Sequence, residues 1–397
     1  MKLGILGGSF NPVHNGHLYL AEKAISELEL DRVVFVPAYR SPFKLDASGM
    51  EHTTEERINM LAVSVAGDPR FAIDDCEIKR EGVSYTVHTL EDIITRYMPN
   101  GKPYLLIGDD LAVDFPKWRD SERILEMAEI VVARRLNSDA KEYPYPHKLI
   151  KNKIMDISSQ TVRKMITEQD DWKPLVPSAA VNIIMEKRLY GVTDSGEENP
   201  PSEQDSIVLR VEQAVRAALN TSRFLHSRNT ALFAYDMCRR FRNECSGIDP
   251  MDAYLAGIAH DLAKQLDPKE MIKLVKNEGK SMTAVEKGKP SLLHGRAAAV
   301  LLRDRFSIHN KDILEAVALH TSGSENMGTL AKIIYIADKL EVSRSSVNGL
   351  RKMCREAELD DILYAVLKKT VSKLQSRELD LSEETLKLLA KMEGKNN

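Results

Sequence analysis

The sequence predicts two folds in series: an α/β doubly wound parallel sheet over residues 1–192, a linker over 193–205, and an all-α helical bundle over 206–397. Three observations predict it. Apolar β-branched runs alternate with helical patterns through the first half, as a parallel sheet with crossover helices requires. A polar, acidic, proline-bearing stretch interrupts the chain near its middle. Beyond that stretch strand signals nearly vanish. A chain of 397 residues has room for about two or three domains, each able to bury its own core.

In chain order, the expected strands are "KLGIL", "VVFVP", "RFAID", "PYLLIG", "EIVVAR" and "KIMDIS", with helical patterns such as "HLYLAEKAISELEL" between several of them. The segment "TDSGEENPPSEQDS" carries five acidic residues, no basic ones and two adjacent prolines, so it reads as a linker. In the second half "DPMDAYLAGIAHDLAKQL" offers Asp249 as a helix N-cap and Pro250 at the first helical position, with Leu255, Ile258, Ala259 and Leu262 on one stripe.

Composition excludes several classes. A net charge of −3 and a sequence pI near 6.4 argue against a surface built for nucleic acid, so anionic substrates have to be met by local groups. The four cysteines, Cys76, Cys238, Cys245 and Cys354, form no C-x-x-C pair and no secretory framework, and the first residues read directly into a strand. A reduced, cytoplasmic protein is expected. No apolar run approaches the roughly 20 residues of a membrane helix. The oligomeric state is open, and a homo-oligomer is compatible with all of this.

The stretch "LGILGGSFNPVHNGHLYLAEKAI" is the most informative of the first half. After the strand, Gly7 and Gly8 permit a tight turn and close approach of a ligand, and the following helix presents unpaired N–H groups and a positive dipole end. An anion is the natural guest. Neither the G-x-G-x-x-G dinucleotide fingerprint nor the lysine-bearing P-loop is present. His14 and His17, three residues apart, fall near the first turn of a helix starting near Asn15, facing the same anion. Two such histidines in isolation read equally well as polar cap residues. Combined with the strand and the glycine turn, "NPVHNGH" resembles the nucleotidyltransferase superfamily signature, in which ATP lies over the first turn and the second histidine steadies the phosphate under attack.

Further phrases narrow the resemblance. "SYTVHTLEDI", "LLIGDDLAVDFPKW", "VVARR" and "ISSQTVRKMI", in that order, resemble nicotinate mononucleotide adenylyltransferases across roughly residues 1–191. The resemblance implies that Gly7, Gly8, Ser9, Phe10, His14 and His17 line the ATP site, that Ser159 and Arg163 hold the triphosphate, that Asp109 binds nucleotide, and that Thr86 and Trp118 receive the pyridine carboxylate ring. Two departures stand out: Phe43 precedes Lys44 where the family usually has histidine, and Gln160 stands in "ISSQ" where threonine is usual. His17, Lys44 and Arg163 would supply the charge for catalysis, with magnesium brought by ATP. An acceptor phosphate is largely ionised at pH 7, its second pKa lying near 6, so it needs no general base. Positioning and charge neutralisation then carry the reaction.

The helical half holds a second histidine set: His226, the adjacent pair His260 and Asp261, then His294, His309 and His320, and Asp338 within "KIIYIADKLE". A carboxylate in an apolar helical stripe is costly to bury unpaired. Any one of these histidines alone reads as a core or cap residue. Together they match ligands converging from several helices on a one- or two-metal site. The spacing looks like the HD phosphohydrolase superfamily, and "LLHGRAAAVLL", "ALHTSG" and "IIYIADKLEVSR" resemble its symmetrical diadenosine tetraphosphatases over roughly residues 206–391. That resemblance implies one metal on His226, His260, Asp261 and Asp338 and a second on His294 and His320, with Asp261 bridging. His309 matches no motif position and is expected in a loop or helix cap. The two divalent metals are expected to be iron or manganese, with zinc open. The expected partners are thus ATP, nicotinate mononucleotide and dinucleoside polyphosphates. Two alternatives remain for the helical half: another nucleotide as substrate, such as an alarmone or a monophosphate, or nucleotide binding without turnover as a regulatory module.

Overall fold

The computed structural model describes residues 1–42, 53–134, 142–151, 157–193, 206–279 and 281–396. The chain divides into two compact units, Met1–Ser202 and Glu203–Asn397. Most of the expected linker, 194–205, and the Phe43–Lys44 segment lie outside the described residues. Among the described residues no helix is long and apolar enough to cross a membrane.

The first unit runs β1 (Leu3–Gly8), α1 (Asn15–Leu28), β2 (Arg32–Pro37), α2 (Thr54–Ser64), β3 (Phe71–Ile73), α3 (Cys76–Arg80), α4 (Thr86–Tyr97), β4 (Tyr104–Gly108), α5 (Asp109–Ala112), α6 (Ser121–Met127), β5 (Glu129–Ala133), β6 (Lys148–Ile150), α7 (Ser159–Glu168) and α8 (Ser178–Glu186). The six strands are all parallel in the order β3-β2-β1-β4-β5-β6. Strand β2 is buried along its whole length, as covering both faces of a parallel sheet demands. The chain winds outward from β1 to β3 and returns on the other side of β1 at β4. Strand order therefore reverses between β1 and β4, and the crevice at their carboxyl ends is where open α/β sheets take their ligands.

The sixth strand differs from expectation. It forms at Lys148–Ile150, ahead of "KIMDIS", whose residues 153–156 lie outside the described residues. Its short run "HKLI" lacks the apolar length by which the others are recognised, and an exposed edge strand needs only one buried side chain, here Ile150.

Among the described residues the only regular elements of the second unit are helices: α9 (Ile207–Ala218), α10 (Thr221–Arg240), α11 (Pro250–Ala259), α12 (Pro268–Lys276), α13 (Ala284–Gly288), α14 (His294–Phe306), α15 (Lys311–Leu319), α16 (Thr329–Leu340), α17 (Asn348–Glu356), α18 (Leu359–Gln375) and α19 (Glu383–Asn396). Helix α11 starts as expected, with the Asp249 carboxylate accepting from the Met251 N–H at 2.8 Å. It is not amphipathic, however. From Ala253 to Ala259 every side is buried, because α9, α10, α15 and α16 surround it. Gly257 is the contact point: a Cβ there would lie 2.6 Å from the Ala231 Cα of α10. Helices α14 and α15 approach equally closely at Gly295, where a Cβ would lie 2.9 Å from the Val317 carbonyl. These two close crossings bring the ligand-bearing helix ends together.

Candidate functional site

In the first unit the residues singled out in the opening stretch gather at the carboxyl end of β1. Gly7 and Gly8 end the strand, and neither adopts the left-handed conformation; the turn is made at Phe10, with φ 47°. The Phe10 ring is wholly buried, edge-on to His17 with centroids 4.9 Å apart and to Phe35 at 5.7 Å. It anchors the loop from below.

His14 caps α1 and His17 sits in its first turn, the two rings stacked with centroids 3.7 Å apart. The His14 N–H donates to His17 Nδ1 at 3.2 Å, which leaves the His17 proton on Nε2. His14 is buried and His17 half-buried, so His17 is the outward member of the pair. Gly16 makes the stack possible, because a Cβ at that position would lie 3.0 Å from His14 Nδ1. The sequence reading passed over Gly16, although its place between the two histidines was the available signal.

The loop between β1 and α1 is clamped from three sides. Arg57, on α2 and almost fully buried, donates to the Ser9 carbonyl at 2.6 Å and the Ala38 carbonyl at 2.8 Å, tying the ends of β1 and β2 together. Burial pushes its guanidinium pKa down. Ser159 donates to the Pro12 carbonyl at 2.9 Å and Arg163 to the Asn11 carbonyl at 2.7 Å, which ties α7 to the loop. The Tyr190 hydroxyl donates to Asn11 Oδ1 at 2.7 Å. Arg57, Asn11 and Tyr190 were missed in sequence because each acts on backbone or amide groups distant in the chain.

Across the crevice, Asp109 is buried at the end of β4. Thr86 is the first residue of α4, and half-buried Trp118 packs against Phe115 with centroids 5.4 Å apart. The guanidinium of Arg119 lies 4.6 Å from the Tyr85 ring centroid, which brings the Thr86 and Trp118 segments side by side.

In the second unit the six residues expected to ligate metal converge from five helices. His226 comes from α10, His260 and Asp261 from the end of α11, His294 from the start of α14, His320 from the end of α15, and Asp338 from α16. His226, His260 and Asp261 offer ligand atoms within 4.8 Å of one another, and so do Asp261, His294 and His320. Asp261 thus belongs to both groups. His309, in contrast, is exposed in the loop before α15.

Three of the histidines share one device. His260, His294 and His320 donate from Nδ1 to the carbonyls of Gly257, Ser291 and Val317, each three residues earlier, at 2.7, 2.8 and 2.8 Å. A carbonyl only accepts, so the proton is held on Nδ1 and each Nε2 is a bare lone pair. These lone pairs face carboxylates and each other: His294 Nε2 lies 3.1 Å from Asp261 Oδ1 and 3.0 Å from His320 Nε2, and His260 Nε2 lies 3.8 Å from Asp338 Oδ1. Among the described residues His260 Nε2 has no hydrogen-bond partner. Burial pushes the His260 pKa down to about 3, which keeps the ring neutral. Lone pairs and carboxylates crowded in a dry site repel unless a cation lies among them, so this donor set fits divalent metal.

Cationic side chains rim the cluster. Arg223 Nη1 lies 3.0 Å from Asp261 Oδ2, Lys264 Nζ 3.0 Å from His294 Nε2, and Arg344 Nη2 2.9 Å from Asp338 Oδ1. The sequence reading missed all three, although each lies within six residues of a ligand and the first two at a helical spacing of three.

Comparison with known proteins agrees with the division into two units. Residues 5–165 match the family described as cytidylyltransferase-like, and residues 223–343 match the HD domain. A Borrelia garinii protein named "Probable nicotinate-nucleotide adenylyltransferase" is 35% identical over 190 residues, which cover 48% of this chain and 95% of that protein. A Mycoplasma genitalium protein named "Probable nicotinate-nucleotide adenylyltransferase/Ap4A hydrolase" is 27% identical over 352 residues, covering 86% of this chain and 88% of that protein. Among solved structures, an HD superfamily hydrolase of Clostridium acetobutylicum described as involved in NAD metabolism is 28% identical, with a TM-score of 0.43, over 47% of this chain and 96% of that one. Through its first half the chain belongs to the nicotinate-nucleotide adenylyltransferase family, and it joins that half to an HD domain in one polypeptide.

Proposed function

We propose that the chain is a bifunctional enzyme whose first half transfers the adenylyl group of ATP to nicotinate mononucleotide, releasing pyrophosphate, and whose second half hydrolyses diadenosine tetraphosphate to two ADP. The names of the Borrelia and Mycoplasma relatives support this reading. The observation that carries it is that each half gathers its own histidine cluster, one at the switch point of a parallel sheet and one among converging helix ends.

In the first half the acceptor phosphate attacks the α-phosphorus of ATP in line, and the bond from that phosphorus to the oxygen bridging to the β-phosphorus breaks. The acceptor oxygen is already ionised, so no side chain takes a proton. His17 donates from Nε2 to the transferring phosphate, while Arg163 and Lys44 balance the growing charge alongside ATP-borne magnesium. Gly7, Gly8, Ser9 and Phe10 offer backbone to the nucleotide, His14 holds His17 by stacking, and Ser159 and Asp109 contact the nucleotide. Thr86 opens a helix whose first N–H groups suit the nicotinate carboxylate, with Trp118 against the ring.

In the second half His226, His260, Asp261 and Asp338 would hold one divalent metal, and His294 and His320 a second shared through Asp261. Iron or manganese suits these nitrogen and oxygen donors. Two metals held there would supply an activated hydroxide and neutralisation of the phosphate under attack. Arg223 and Arg344, both part-exposed at the rim, meet the remaining charge of the polyphosphate.

The test is turnover by the full chain of ATP with nicotinate mononucleotide or its amide, and of a panel of dinucleoside polyphosphates, alarmones and mononucleotides. The acid should be preferred, because a site arranged for a carboxylate leaves donors unpaired with the amide. Equal specificity constants for acid and amide would remove the acceptor assignment, and faster turnover of an alarmone or mononucleotide than of diadenosine tetraphosphate would reassign the second half.

A further inference from the structure

Four histidines surround the metal-type cluster, and one is held differently. His260, His294 and His320 give their Nδ1 protons to neutral backbone carbonyls. His226 gives its own to a carboxylate, Glu341 Oε1, at 3.1 Å. Glu341 is fully buried, three residues beyond Asp338 at the end of α16. Nothing about it is incidental to the packing. Its carboxylate also accepts from the Ser343 N–H at 2.6 Å and the Ser343 hydroxyl at 2.5 Å. Its backbone is clamped in turn by Arg351, itself buried, which donates to the carbonyls of Leu340 at 2.7 Å, Glu341 at 2.5 Å and Arg344 at 2.6 Å.

An anionic acceptor on one ring nitrogen enriches the other nitrogen as a donor far more than a neutral carbonyl does. His226 Nε2 lies 3.0 Å from Asp338 Oδ1 and 3.2 Å from Arg344 Nη2, so this nitrogen and the Asp338 carboxylate serve the same side of the cluster. The opposite side, at His294 and His320, shares Asp261 but has no carboxylate behind its imidazoles.

We propose that Glu341 is a positioning residue that orients and enriches His226, making the His226–His260–Asp338 side of the cluster the tighter of two unequal metal sites. The inference rests on the two-metal reading of the cluster. Metals then load in order, the His226 side first, and Glu341 sets the gap between the two steps.

Glu341→Gln tests this without opening a cavity. An amide satisfies Ser343 only by turning its oxygen to that N–H, which sets its NH2 against His226 Nδ1 and favours the wrong tautomer for ligation. The experiment is stepwise titration of the full-length chain with Mn2+ under anaerobic conditions, in competition with a chelator, for wild type, E341Q and the milder S343A. Circular dichroism and thermal unfolding of each variant report the fold. Wild type should bind two equivalents in separated steps. E341Q should weaken the tighter step by about 10–100-fold and leave the weaker step within about threefold. S343A, which removes one hydrogen bond to Glu341, should shift the same step in the same direction by a smaller factor, and it carries the test if E341Q does not fold. Two equivalents bound by wild type with both steps unchanged in the folded variants would overturn the role of Glu341 alone. Failure of wild type to bind two equivalents would overturn the two-metal reading and this inference with it.

Discussion

His17 on one side and His260 and His320 on the other use the same side chain in opposite protonation geometries, and the polarity of the helix end at which each stands decides which. His17 stands at the start of α1, where backbone N–H groups are unpaired, and its Nδ1 accepts one of them at 3.2 Å. The proton is thereby displaced to Nε2, and the ring offers a hydrogen-bond donor to an anion. His260 and His320 stand at the ends of α11 and α15, where carbonyls are unpaired, and their Nδ1 atoms donate to them. Their Nε2 atoms are left as lone pairs for a cation. At His17, His260 and His320 the helix terminus thus sets the tautomer, because the orphan groups of a helix are N–H at one end and C=O at the other; His294, at the start of α14, reaches the ligand tautomer instead through the Ser291 carbonyl of the preceding turn.

The largest expected effect tests the cation-binding side. Asp261→Ala removes the one carboxylate that belongs to both ligand groups and should lower tetraphosphate hydrolysis about 1000-fold or more, corresponding to a loss of roughly 4 kcal/mol of transition-state stabilisation. Adenylyl transfer should be untouched, and bound metal, read by elemental analysis on the same samples, should fall. Full metal with full turnover would break the comparison on its metal side.

Next in size is the donor side. His17→Ala should lower adenylyl transfer about 100-fold in turnover with little change in ATP affinity, since its proton is wanted chiefly as charge develops. A variant within about threefold of wild type takes His17 out of the mechanism.

A smaller effect sharpens the role of the stacked partner. Gly16→Ala places a methyl 3.0 Å from His14 Nδ1, so the pair must shift by a few tenths of an ångström and turnover should fall about tenfold, in line with the sensitivity of oriented groups to small displacements. Alanine favours a helix over glycine by up to about 1 kcal/mol, so the melting temperature should hold or rise. A fall in activity without a fall in stability isolates the positioning of His14.

The smallest effect concerns the independence of the halves. The chain separates into two compact units, and fragments divided near Gly196 should each keep their own activity to within about twofold. Loss of either activity from a fragment that remains folded would show that the clusters depend on one another.

The sequence by itself determined the order of the two folds, five of the six strands, the start of α1 at Asn15 and of α11 at Pro250, and which histidines and aspartates were there to gather in the two clusters. These are local matters: hydrophobic period, cap chemistry and residue type are all written within a few positions of one another. What the tertiary structure decided is whatever depends on groups meeting across long stretches of chain. Arg57 reaches the Ser9 carbonyl 48 residues away and Glu341 reaches His226 across 115. Ser159 and Arg163 meet Pro12 and Asn11 across about 150 residues. The sixth strand forms where the sheet edge has room for it, and α11 is buried on every side because four helices close around it. Tautomer belongs to the same class: a histidine in the sequence is donor and acceptor alike, and only the N–H or C=O that the fold sets against Nδ1 settles which of the two faces the ligand.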